Sequence, residues 1–195
     1  MVPESASPRP RIEGDREQEI LDATLTVLAE AGYDRLTMDA VAAEAKASKA
    51  TLYRRWSSKP ELVVDAVCSH KEHPPTPDTG TLRGDLLAAY CGMGGLGDAR
   101  SMGVLAAVVT AMARDEEFAH AYRRDFIGPK QRAMRLVLDR AVARGEVRDD
   151  ADLDLIAPAL PGIVLHRVFL LGEQATPDLV TRVIDQIILP AVSRS

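Results

Sequence analysis

Two cysteines, Cys68 and Cys91, are too few in 195 residues for a disulfide framework and belong to no metal-ligand cluster, which fits a reducing compartment. Aromatic residues make up only 4% of the chain, leaving the core to aliphatic side chains. The longest apolar run, Met102 to Ala113, falls short of the ~20 residues that cross a bilayer. The opening Met1-Val-Pro-Glu-Ser-Ala-Ser-Pro lacks the hydrophobic centre of a signal peptide. A cytoplasmic chain with no membrane partner is expected. A blanket basic excess is missing as well: the net charge of −5 argues against a protein that coats RNA or chromatin. The four histidines, His70, His73, His120 and His166, show no His-Glu-x-x-His spacing, and neither a nucleophile elbow nor a phosphate loop occurs. The expectation is therefore no enzyme, no metal and no cofactor. Runs of alternating strand residues are also wanting, so the fold class expected is all-α.

With 46% hydrophobic and 27% charged residues the chain has the composition of a globular protein. Residues 1–14, rich in proline and serine and without periodicity, read as a flexible arm; Arg9 and Arg11 either reach a minor groove from there or merely decorate a leader. From Asp15 the apolar positions Ile20, Leu21, Thr24, Val27, Leu28 and Ala31 recur at helical steps until Gly32 supplies a stop. Thr37 caps a short helix from Met38 to Ala45, and Ser48 caps another from Lys49 to Trp56. A fourth helix opens at Pro60 and runs to about Lys71. Three prolines between His70 and Thr81 deny that stretch both helix and strand, placing a linker at 74–81 between a small head, 15–73, and a larger body, 82–195. Helical patterns follow at 82–93, 101–113, 115–126, 128–144, 152–171 and 176–193, giving about nine to ten helices in all. Pro158 and Pro161 predict a kink or break inside one of them.

The two short capped helices carry the functional signal. Val41 and Ala45 on the first and Leu52 and Trp56 on the second supply faces that lock a helix-turn-helix, which turns Lys49, Ala50, Thr51, Tyr53 and Arg54 outward. From Lys46 to Lys59 there are five basic residues, Lys46, Lys49, Arg54, Arg55 and Lys59, and no acid, a focused phosphate-binding patch in an acidic chain. Thr37 and Ser48 stand at helix N-termini, where free N–H groups favour a phosphate oxygen.

Three segments together resemble the TetR/AcrR transcriptional regulators: Ala31-Gly32-Tyr33; Thr37-Met-Asp-Ala-Val41-Ala42-Ala-Glu-Ala45; and Ser48-Lys49-Ala50-Thr51-Leu52-Tyr53-Arg54-Arg55-Trp56-Ser-Ser-Lys59-Pro-Glu-Leu62. The resemblance covers about Arg16 to Val67. It implies a three-helix DNA-binding head on a helical body, with Thr37, Ser48, Tyr53 and Lys59 as backbone contacts and Lys49, Ala50, Thr51 and Arg54 facing bases, while Lys46 and Arg55 complete the patch. Where the family pattern carries Gly-Val before the serine, this chain has Lys46-Ala47. Either Lys46 takes a left-handed conformation, at a cost of about 1–2 kcal/mol, or the turn is built differently.

The same resemblance implies a homodimer through the last two helices, a pseudo-palindromic duplex operator, and a body that binds a small apolar effector. The residues agree in part. Leu160, Ile163, Val164 and Val168, then Leu179, Val183, Ile184, Ile187 and Ile188, leave those helices apolar over much of their circumference. Tyr90, Met93, Met112, Phe118, Tyr122, Phe126, Met134 and His166 are candidates to line an effector site, with ordinary core packing as the alternative for each. The reading is a dimeric repressor released by an effector. The alternative is a ligand-independent regulator, or an activator, whose body only dimerises or recruits protein.

Overall fold

The computed structural model describes residues 13–69, 76–90 and 99–193; Arg9, Arg11, His70, His73, Cys91 and Met93 lie outside them. Secondary structure among the described residues is helical, save for one isolated bridge between Val147 and Ser193. The head comprises α1 (Glu13–Ala31), α2 (Met38–Glu44), α3 (Lys49–Arg55) and α4 (Lys59–Ser69). Along α1 Ile20, Leu21, Thr24 and Leu28 of the expected stripe are buried and Val27 and Ala31 half-buried; the Thr24 hydroxyl donates to the Ile20 carbonyl at 2.8 Å and so loses no hydrogen bond in the core. Gly32 ends the helix with φ 77°.

Next come α5 (Leu82–Tyr90), α6 (Ala99–Arg114), α7 (Glu116–Tyr122) and α8 (Gly128–Ala143), then α9 (Leu153–Ile156), α10 (Ala159–Leu171), α11 (Pro177–Val183) and α12 (Leu189–Val192). The sequence suggests separate helices at 115–126 and 128–144, but α7 runs into α8 through a π-helical turn, Arg123–Ile127. A second π turn, Ile184–Ile188, joins α11 to α12. In both rods the residue ahead of a proline closes the wide turn: Gly128 N–H reaches the Arg123 carbonyl before Pro129, and Leu189 N–H reaches that of Ile184 before Pro190. A proline lacks the N–H and crowds the carbonyl four residues back, and one extra residue in the turn lets the rod continue. The Asp125 carbonyl, which Pro129 cannot serve, meets the Cys68 thiol at 3.9 Å. Between α9 and α10 the chain breaks at Ala157-Pro158, as the prolines predict. Counting α7–α8 and α11–α12 as continuous rods, and α9–α10 as one rod interrupted at Ala157-Pro158, leaves nine among the described residues.

Two apolar clusters hold these rods together. The first joins α1–α4 to Ala107, Val108 and Ala111 of α6 and to Phe118, Tyr122 and Phe126. The second joins α5, α8 and α10–α12. Helices α6 and α7 thus pack on the head. A Cβ added at Gly103 of α6 would stand 3.1 Å from the Ala29 carbonyl oxygen of α1, so the two helices cross where one lacks a side chain.

The stretch before α5 is stapled to the end of α8. Fully buried Asp85 accepts from the Thr79 hydroxyl at 2.8 Å and from Arg144 at 3.1 Å. Glu146 accepts from the Leu82 amide at 2.7 Å, and Arg140 donates to the Pro77 carbonyl at 3.0 Å. Burial raises the Asp85 pKa, but the Thr79 amide, its hydroxyl and Arg144 outweigh burial and hold the carboxyl below the usual range.

Among the described residues the Leu153–Leu171 span, not the Met102–Ala113 run, is the one long and apolar enough to cross a membrane by length and composition, with mean hydropathy 1.6. It turns Leu160, Val164 and Val168 into the second cluster and leaves Leu155, Leu170 and Leu171 exposed.

Candidate nucleic-acid interface

The outward face of α2 and α3 exists because their inward faces are filled. Val41 and Leu52 are completely buried, Trp56 nearly so, and the Trp56 indole N–H donates to Asp65 at 2.8 Å, anchoring α3 to α4. Both N-caps form as predicted: the Thr37 hydroxyl accepts from the Ala40 amide at 3.1 Å, and that of Ser48 from Thr51, also at 3.1 Å. Ser48 and Thr51 also share a hydroxyl contact of 2.9 Å.

The turn between the helices resolves the choice left open at Lys46. Its φ is +50°, the one positive value at a non-glycine position among the described residues. Lys46 N–H bonds the Ala43 carbonyl at 3.1 Å and Ala47 N–H that of Ala42 at 2.8 Å, the paired bonds of a Schellman ending, with Ala47 packed on the core. Arg16 of α1 donates to the Lys46 carbonyl at 2.7 Å. The left-handed lysine is thus held from both sides, and its exposed side chain remains outside the hydrogen bonds that fix the turn.

Lys49, Ala50, Tyr53 and Arg54 are exposed and Thr51 half-buried, so α3 presents one continuous outward strip. Three of the five basic residues are also engaged within the chain. Lys49 pairs with Asp39 at 2.6 Å. Arg55 reaches Glu17 at 3.3 Å and Asp65 at 3.9 Å, with its guanidinium 5.7 Å from the Trp56 ring centre. Lys59 donates to the Tyr33 carbonyl at 2.9 Å, its ammonium 4.0 Å from the centre of that ring.

Tyr33, in turn, donates its hydroxyl to Asp115, the N-cap of α7, at 2.7 Å. Burial, and then the Asp115 carboxylate, push the Tyr33 hydroxyl well above its ordinary pKa, while the Phe118 amide and the Tyr33 hydroxyl hold Asp115 below its own. Alongside, Arg114 pairs with Asp34 at 2.6 Å. Sequence reasoning missed Arg16, Asp39, Tyr33 and Asp115 as supports of the face. No local spacing marks them, since their partners lie between 10 and 82 residues away.

The fold brings the head residues together but divides the candidate effector residues. Phe118, Tyr122 and Phe126 form a buried stack with centroids 5.7 and 4.7 Å apart, continued by Tyr33 at 4.8 Å from Phe118, and Met112 packs beside that cluster. Tyr90 and Met134 pack on the second cluster, where burial pushes the Tyr90 hydroxyl up to about 12. His166 is exposed.

Comparison with known proteins agrees with this geometry. Residues 20–66 match the model of bacterial regulatory proteins of the tetR family, and residues 76–187 match the tetracyclin repressor-like C-terminal domain. The chain belongs to the TetR family. An HTH-type transcriptional regulator of Mycobacterium tuberculosis is 38% identical over 92% of this chain and 89% of its own length. The DNA-binding transcriptional repressor TetR of Mycobacteroides abscessus is 36% identical, over 89% of this chain and 92% of its own. Among solved structures, the TetR-family regulator SCO0332 superposes with a TM-score of 0.66 at 29% identity, covering 92% of this chain and all of the other. As a TetR-family protein the chain is a DNA-binding helix-turn-helix transcriptional regulator with a helical body.

Proposed function

We propose that this regulator is a repressor that grips a pseudo-palindromic operator as a homodimer, with head 15–73, linker 74–81 and body 82–195 as its working parts. The observation that carries it is the outward strip of exposed Lys46, Lys49, Ala50, Tyr53 and Arg54 with half-buried Thr51, above a locked α2–α3 pair. Lys49, Ala50, Thr51 and Arg54 face bases. Thr37, Lys46, Ser48, Tyr53, Arg55 and Lys59 serve the phosphates, the last two from positions already held by Glu17 and Tyr33. Repression is supported by the relative from Mycobacteroides abscessus, a DNA-binding repressor.

The dimer surface is α9–α12. Leu155, Leu170 and Leu171 are 71%, 74% and 55% exposed and Ile187 46%, an apolar strip that water disfavours and a second copy covers. Two-fold symmetry then sets two heads on adjacent turns of the major groove. Release by a small apolar effector follows the family's habit. The closed packing of the Phe118–Tyr122–Phe126 stack favours a second reading, in which the body dimerises without an effector.

Selection from a random duplex pool, followed by binding of the selected site by wild type and Arg54→Ala, tests the proposal. The expected result is a palindromic selected site bound by a dimer, and relaxed preference at one position per half-site in the variant, worth ~1–3 kcal/mol. Leu170→Glu should yield monomers that bind a half-site weakly. A selected site without symmetry, or a fully functional monomer, would overturn it.

A further inference from the structure

We infer that Asp39 is a specificity-determining residue of the DNA-binding face, acting through Lys49; the inference rests on the DNA-binding reading above. In sequence the stretch from Lys46 to Lys59 is free of acid, but the fold returns acids to it: Glu17 and Asp65 to Arg55, and Asp39 to Lys49. Asp39, in the first turn of α2, places Oδ2 2.6 Å from Lys49 Nζ, and both side chains are 61% exposed, so the pair lies on the outward surface. Lys49 is the first residue of α3, and the N-terminal residues of a recognition helix are those that meet base edges.

The other acid-paired cation of the patch, Arg55, is held by residues of α1 and α4 that share the support of the head. Asp39 differs because it belongs to the strut helix itself and stands beside the leading end of α3. A carboxylate there does two things. It cancels one cation that would otherwise neutralise a phosphate of any duplex, and it keeps the Lys49 ammonium aimed across the α2–α3 junction instead of sweeping toward the backbone. Both lower affinity for arbitrary DNA more than for the cognate site, and specificity is that difference. Asp39 is a positioning residue in this account, and Lys49 is the contact.

The test uses the full chain and two duplexes of equal length, the site selected by wild type and a random sequence, each titrated across salt concentration. The variants are Asp39→Asn, Asp39→Glu, Lys49→Ala and the Asp39→Asn/Lys49→Ala double. For Asp39→Asn the random duplex should bind roughly threefold more tightly per subunit, with a salt slope steeper by about 0.9 per subunit, because one more phosphate is neutralised. Affinity for the selected site should change by less than about twofold, so the specificity ratio falls. Asp39→Glu should keep the wild-type ratio, and without Lys49 the Asp39→Asn change should leave it within about twofold. An unchanged or higher ratio in Asp39→Asn overturns the inference. So does an equal fall when Lys49 is absent, or a loss confined to one base pair, which would make Asp39 itself the reader. If wild type selects no site at all, the DNA-binding reading fails, and the inference with it.

Discussion

Replacing Lys46 with glycine perturbs one backbone angle and one charge, and the two consequences separate cleanly. Lys46 sits at φ +50°, where a side chain costs about 1–2 kcal/mol that glycine does not incur. Glycine gives back about 0.4–1 kcal/mol through the greater freedom of its unfolded chain. The hydrogen bonds that hold the turn run through backbone atoms, Lys46 N–H to Ala43, Ala47 N–H to Ala42 and Arg16 to the Lys46 carbonyl, so all three survive the change. The net expectation is stabilisation by about 0.5–1 kcal/mol, a rise in Tm of roughly 1–4 °C for a chain of this length. Thermal unfolding at fixed protein concentration, salt and pH measures it, with Lys46→Ala as the control that removes the charge and keeps the strained angle. In the duplex titration both variants should lose about 0.9 of salt slope per subunit if Lys46 neutralises a phosphate. A Lys46→Gly protein no more stable than either wild type or Lys46→Ala would refute the assignment of strain to this turn.

Two further outcomes follow from the body. Gly84→Ala would bring a Cβ to 2.2 Å from the Thr79 hydroxyl oxygen, which also bonds buried Asp85, so the substitution should lower the urea midpoint and do so less when Thr79 is changed to Ala as well. Asp85 has a folded pKa below its unfolded value of about 3.9, so its contribution is full above that pH and disappears as pH falls through the folded value. Between pH 7 and pH 3 the urea midpoint of wild type should therefore drop more steeply below about pH 4 than that of Asp85→Asn; parallel curves would show that the Thr79 and Arg144 bonds do not bias the titration.

Local pattern determined most of the head. Capping residues, apolar spacing at Val41, Leu52 and Trp56, and the stop at Gly32 each act over a few residues, and each was legible for that reason. The helical class and the break at Pro158 were legible on the same grounds, whereas the prolines at 129 and 190 admit either an end or a continuation, and only the packed rods show the π turns. Tertiary structure alone decided how the basic residues are employed. Distances of 10 to 82 residues in sequence put Asp39 on Lys49 and Asp115 on Tyr33, and no periodicity carries such pairings. It likewise divided the soft and aromatic residues between two clusters, since a helical pattern states which side chains turn inward but not toward which neighbour.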